Sequence, residues 1–188
     1  MLLDDPSPLV RAALAEALAA SADAPPAVVL ALAADQPEIA AIVLERSPLL
    51  LDADLVDCVG AGSPAIQAAV ARRENLPCAV AAAIAEVGSA EACLILIESP
   101  HAVIVPFSLD RIVERHGHLA AIREPLLARD DLSPATRQAL VVKLSDTLAR
   151  FVASQRWMDE GAVITLVIVL NQEFPIGLRI IRNPARHT

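Results

Sequence analysis

The sequence predicts an all-α fold, an α-solenoid of about five helical hairpins closed by an apolar C-terminal segment. Three observations carry this expectation. Of the 188 residues, 37 are alanine, against 6 glycines, three phenylalanines and no tyrosine. That composition suits closely packed helices and lacks the β-branched and aromatic residues of a sandwich or barrel. The second observation is an internal repeat. The triplets Leu9-Val10-Arg11, Glu38-Ile39-Ala40, Ala65-Ile66-Gln67, Glu91-Ala92-Cys93 and Ala121-Ile122-Arg123 have centres 29, 27, 26 and 30 residues apart. The third runs in register with it. Val43–x–x–Arg46–x–x–Leu49, Val70–x–x–Arg73–x–x–Leu76 and Leu126–x–x–Arg129–x–x–Leu132 share one pattern, their arginines 27 and then 56 residues apart.

Each element has its own local reason. Ser7-Pro8, Gln36-Pro37 after Asp35, and Ser63-Pro64 mark helix starts. A capping oxygen satisfies free amides there, and proline at the first helical position loses only a donor that has no partner anyway. Apolar residues then recur at helical spacing: Val10 with Ala13, Leu14 and Ala17, Ile39 with Ile42 and Val43, Ile66 with Ala69 and Val70. Second helices are expected at residues 25–34, 52–59, 77–87, 108–116 and 134–151, with Gly60, Gly88 and Gly117 as stops. The arginines fall where a last helical turn presents free carbonyls, which predicts a structural role for Arg46, Arg73 and Arg129. Pro125 implies that the fifth first helix is kinked or begins at Glu124. Val103-Ile104-Val105-Pro106 reads as an extended connection. The predicted core includes Val10, Leu14, Ile39, Val43, Ile66, Val70, Ile95, Leu126 and Leu140.

A unit of this length with two short helices cannot bury its own apolar face, so the units must stack. Residues 1–155 form this repeat domain in the sequence reading, and residues 156–188 form a separate tail. Alanine nearly vanishes there, and the run Val163-Ile164-Thr165-Leu166-Val167-Ile168-Val169-Leu170 appears. It reads as a buried helix or as the first strand of a hairpin with residues 178–181; periodicity does not separate the two. Eight such side chains call for cover, by the last hairpin or by a second copy in a homodimer.

At these residues the chain resembles a HEAT-like family of alphaproteobacterial proteins, domain of unknown function 2336. The resemblance is carried over residues 4–151 by Ser7-x-Leu-Val-Arg11, Leu32-x-x-Asp35, Glu45-Arg46-Ser-Pro-Leu49-Leu50, Arg72-Arg73-Glu-Asn-Leu76-Pro77, Ser108-Leu109-x-Arg111-Ile112-x-Glu114-Arg115 and Leu127-x-Arg129-x-Asp131-Leu132. The repeats are also similar to leucine-rich variant repeats. The resemblance implies a curved stack of HEAT-like hairpins and brings no catalytic or binding residues with it. The tail after residue 155 resembles neither.

The net charge of −8 is uneven: residues 1–60 hold ten acids and only Arg11 and Arg46 as bases. An acidic surface repels phosphate backbones and attracts basic partners. The candidate partner-binding residues are therefore Asp4, Asp5, Glu16, Asp23, Glu38, Asp52, Asp54 and Asp57. Arg111, Arg115, Arg123 and Arg129 are interleaved with Glu114, Glu124, Asp130 and Asp131, which favours a salt-bridged face over a phosphate track. Cys58, Cys78 and Cys93 form no CxxC pair and read as buried free thiols of a reducing compartment. No signal peptide and no apolar run of membrane-spanning length is legible, so the expected location is the cytoplasm.

Chemistry-bearing motifs are sparse. Asp110, Glu114 and His118 stand four apart, but Gly117 interrupts the helix that would align them for a metal. No phosphate loop, nucleophile elbow or cofactor motif appears, so no catalytic residue, metal or cofactor is expected. The favoured reading is a non-catalytic protein–protein interaction scaffold or regulatory module, with no nucleic-acid and no membrane partner. The alternative is a glycosylase-like or lyase-like helical-repeat enzyme whose residues converge only in space.

Overall fold

The structure is a computed structural model that describes residues 7–155 together with Gly161, Thr165 and Ile168. Among the described residues there are ten helices and no strand. In chain order they are α1 (Pro8–Leu18), α2 (Pro26–Ala33), α3 (Pro37–Arg46), α4 (Asp52–Ala61), α5 (Pro64–Ala71), α6 (Cys78–Val87), α7 (Ala90–Glu98), α8 (Pro106–His116), α9 (Ala120–Leu127) and α10 (Pro134–Ser154). The chain divides into two compact units, Met1–Leu132 and Ser133–Thr188. The first carries α1–α9 and the second carries α10.

Prolines open α1, α3, α5, α8 and α10, and Ser63, Ser89 and Ser133 cap α5, α7 and α10 by accepting from the amides of Ile66, Ala92 and Thr136. The expected stops at Gly88 and Gly117 are C-caps, whereas the third stop is Gly62, with Gly60 inside α4. Pro125 does not delay α9: that helix begins at Ala120 and runs through it. Residues 102–105 are non-helical, with Val105 extended as the N-cap of α8.

Within the first unit the odd-numbered helices α1, α3, α5, α7 and α9 form one row, each packed on the next. A second row consists of α4, α6 and α8. Helices α4 and α6 also lie against α5 and α7, so each second helix leans on the first helix of the repeat that follows. Helix α2 likewise leans on α3, and on α1, but does not pack closely on α4. The core is aliphatic, with Val29, Leu32, Val43, Leu44, Leu55, Val59, Ile84, Leu96, Ile112, Ile122 and Leu126 fully buried. Ile39, Val43, Val70, Leu126 and Leu140 are buried as the spacing predicts. Val10, Leu14, Ile66 and Ile95 are only partly covered, because Ala15, Gln67 and Leu96, one position on, point inward instead.

The repeat also carries polar clasps. Arg73 donates from Nη1 to the Leu44 carbonyl at 2.5 Å and from Nη2 to the Ser47 carbonyl at 2.7 Å, fastening the end of α3. Arg129 reaches back to the Ile97 carbonyl at the end of α7 at 3.0 Å. Arg46 instead pairs with Glu16 at 2.8 Å. Arg115 makes the same kind of clasp in the second row, to the carbonyls of Ala85 and Gly88 at 2.9 and 2.8 Å. The third residue does related work in three of the five triplets. Gln67, buried, donates to the Val59 carbonyl at 2.9 Å and accepts from the Ser89 amide at 2.8 Å. Cys93 Sγ lies 3.5 Å from the Ile84 carbonyl, and Arg123 donates to that of Gly117 at 3.4 Å. These groups satisfy carbonyls that a helix end leaves without partners. The fourth repeat lacks its arginine: His101 stands near that register, beside a hollow of about 350 Å³ lined by Ala71, Glu74, Ile95 and Glu98.

In the second unit α10 is a 21-residue helix with Leu140 and Val152 buried. Of the apolar run in the tail, the structure describes Thr165 and Ile168, both helical, and Thr165 Oγ1 donates to the Gly161 carbonyl at 2.9 Å. Val163, Ile164, Leu166, Val167, Val169, Leu170 and residues 178–181 lie outside the described residues.

Candidate functional site

Helix α2 packs on α3 as α4 packs on α5, but it does not pack closely on α4, and the space between α2 and α4 stays open. The result is a groove of about 620 Å³. Its α2 wall consists of Leu30, Ala33 and Ala34, at helical positions i, i+3 and i+4. Its α4 wall consists of Asp54, Asp57, Cys58 and Ala61, at i, i+3, i+4 and i+7. Pro37, Leu50 and Ile66 complete an apolar floor. Both walls follow from helical phase. Helix α2 buries Val29 and Leu32, and α4 buries Leu55 and Val59, which turns the groove-lining residues away from the core. Leu30 is left 48% exposed on an otherwise aliphatic helix.

The two sides of the groove differ in charge. Asp35 is held by Arg11 through two hydrogen bonds, at 2.7 Å to Oδ2 and 3.1 Å to Oδ1, and accepts from the Gln36 amide at 2.7 Å. The Arg11 guanidinium and that amide keep its carboxyl below the usual carboxylate range. On the α4 side, Asp54 Oδ2 accepts from the Leu51 amide at 3.0 Å and so caps its own helix, and Asp57 is exposed. Burial, and secondarily the charges of Asp54 and Asp57, push the Cys58 thiol up from its ordinary value. Negative charge therefore runs along α4 only.

Of the eight acidic residues expected to meet a partner, the structure gathers Asp54 and Asp57 at this groove. Asp52 opens α4, close enough to Arg73 to act on its charge. Glu16 is engaged by Arg46, and Asp23 is exposed in the α1–α2 connection. Glu38 lies in the first turn of α3 beside a separate depression with Ser63, Arg72 and Glu91. Asp4 and Asp5 lie outside the described residues. Sequence reasoning missed the apolar half of the groove. The signal available was Leu30, an aliphatic residue on the face opposite to Val29 and Leu32.

The thiols differ from the expectation of uniform burial: Cys93 is buried, Cys58 half-buried and Cys78 exposed. Cys78 opens α6, where its side chain falls outside the face carrying Val80, Ala81 and Ile84. Burial pushes the Cys93 thiol up to about 11. The arginine cluster is engaged side chain by side chain. Arg111 binds Glu86 at 2.8 and 2.9 Å and Glu114 at 2.5 Å, Arg129 binds Asp131, and Arg115 and Arg123 hold carbonyls. His116 Nε2 lies 3.3 Å from the Gly88 carbonyl, and burial lowers its pKa. Among the described residues no three His, Cys, Asp or Glu side chains are placed to hold a metal ion, and no helix is long and apolar enough to cross a membrane.

Among the described residues, the fold defines an all-α helical-repeat protein with a groove between α2 and α4. The chain belongs to the bacterial family described as "uncharacterised protein conserved in bacteria (DUF2336)", whose model matches residues 39–174. The match starts later than the resemblance read over residues 4–151 and extends into the tail, so part of the segment after residue 155 is family sequence. The α4 wall of the groove lies within the match and the α2 wall before it. No curated protein and no solved structure matches the chain.

Proposed function

We propose that this chain is a non-catalytic interaction module, a scaffold or regulator working in the cytoplasm, that holds another polypeptide through a basic surface on that partner. The observation that carries this reading is the α2–α4 groove, an apolar floor beside the carboxylates of Asp54 and Asp57 on an N-terminal half rich in acid. Open stacks of helical pairs offer surfaces of a size suited to polypeptides. Arg111, Arg115, Arg123 and Arg129 are each engaged by an acid or a carbonyl, which supports a protein rather than a nucleic-acid partner for that face.

The test compares polylysine and polyglutamate of equal length as ligands, across a range of salt, with hydrogen exchange to locate the contact. Polylysine is expected to bind with an affinity that falls as salt rises, protecting the α2–α4 region, while polyglutamate stays free. A gel shift with duplex DNA at low salt is the opposing arm. Tight duplex binding, or release of bases from alkylated DNA, would replace this reading with the glycosylase-like one.

A further inference from the structure

Resting on that reading, we infer that the α2–α4 groove takes one amphipathic α-helix of the partner, with its apolar stripe on Leu30, Leu50 and Ile66 and its cations along α4 against Asp54 and Asp57. Helices α4, α6 and α8 pack successively, whereas α2 and α4 do not pack closely and leave a groove between them. That groove keeps an apolar floor and leaves Leu30 48% exposed.

Backbone chemistry then selects the form of the occupant. The described part of the groove is walled by helices and contains no strand edge. An extended segment laid on Leu30, Leu50 and Ile66 would lose water from its amides and carbonyls and gain no partner for them. A helix satisfies those groups internally and presents side chains at i, i+3, i+4 and i+7, the spacing of the wall it would face. Helix α4, with ten residues, is about 15 Å long. It matches two to three turns of a guest.

Charge fixes the guest's roll. Arg11 neutralises Asp35 on the side of α2 and α3, whereas Asp54 and Asp57 stand one turn apart on α4. A guest with lysine or arginine one turn apart on a single flank meets those carboxylates only when that flank faces α4. Turned over, it would set its cations against the neutral wall.

The probe is a labelled synthetic peptide of about 14 residues, with leucines at i, i+3, i+4 and i+7 and lysines on one flank. Two controls accompany it: the same peptide with a central proline, and the same peptide with glutamates for lysines. We expect the first to bind with a gain of helical circular dichroism, and both controls to bind at least tenfold more weakly. Leu30→Gln and Asp57→Lys, both exposed positions, each reduce affinity about tenfold in chains whose melting is unchanged. Alkylation of Cys58, followed by mass spectrometry, slows at least fivefold on binding, while that of the exposed Cys78 does not. Binding that ignores the proline, Leu30 or Asp57, or leaves Cys58 as reactive as before, overturns the helix-in-groove assignment and leaves the broader reading standing. Failure of both this peptide and polylysine to bind removes the broader reading as well.

Discussion

Arg73 holds two carbonyls at the end of α3, those of Leu44 and Ser47, with one half-buried guanidinium fork, and burial lowers its pKa against the pull of Asp52. Hydrogen bonds from a charged donor contribute more than neutral ones, so Arg73→Ala is expected to cost about 2–3 kcal/mol in urea unfolding. Arg73→Lys should recover little, because a point charge cannot span both oxygens. Arg46→Ala, removing a pair with both partners half exposed, should change stability by less than about 0.5 kcal/mol. Equal losses at the two positions would break the distinction between clasp and surface pair. Asp35 provides a pH handle. Its carboxyl is held below the ordinary value of 3.8, so its pairing with Arg11 contributes stability above that pH and loses it as pH falls through the lowered folded-state value. Asp35→Asn should therefore be less stable than the parent at neutral pH, with the gap closing in acid; a pH-independent gap would mean that the ion pair is not its source.

At the scale of elements, the helices were legible because their punctuation is local. Ser-Pro and Gln-Pro pairs mark the starts of α1, α3, α5 and α10, and the second helices lie within three residues of their expected bounds, whereas Gly60 falls inside α4 and α9 begins at Ala120 rather than Glu124. The clasps were half legible. Arg46, Arg73 and Arg129 stand out because they are the same residue in the same register, and of these Arg73 and Arg129 fasten helix ends in the preceding repeat. Gln67, Cys93 and Arg123 do comparable work with three different chemistries, so an alignment by residue type hides it. The groove was not legible as a groove: Leu30 stands off the Val29 and Leu32 face, but tertiary packing decides whether a neighbour covers it. Gln67 offers a direct check. Gln67→Leu strands the Ser89 amide and the Val59 carbonyl and should cost about 2 kcal/mol. A variant as stable as the parent would mean that those groups find other partners.

For the whole molecule, the decisive asymmetry is charge, with ten acids against two bases in residues 1–60. It was readable from the sequence, and the fold sets two of those acids, Asp54 and Asp57, along the α4 wall of the groove. Self-association is a separate proposal, resting on the apolar run 163–170, of which Ile168 is 49% exposed. Deleting residues 156–188 should lower solution mass from dimer to monomer in sedimentation velocity; an unchanged mass and an unchanged melt would remove that role.

The missing arginine of the fourth repeat carries a mechanical consequence. Ala71 and Glu74 stand 27 residues after Leu44 and Ser47, the pair that Arg73 grips, yet the next repeat offers them His101 and a hollow rather than a guanidinium. A stack tied only to its nearest neighbours behaves as a line of links, and the whole line is as strong as its weakest joint. The seam between α5 and α7 is tied by other groups, the Gln67–Ser89 hydrogen bond at 2.8 Å and the Arg72–Glu91 pair at 3.6 Å. Pulled from its two ends, a first unit carrying Gln67→Leu should rupture at lower force than the parent.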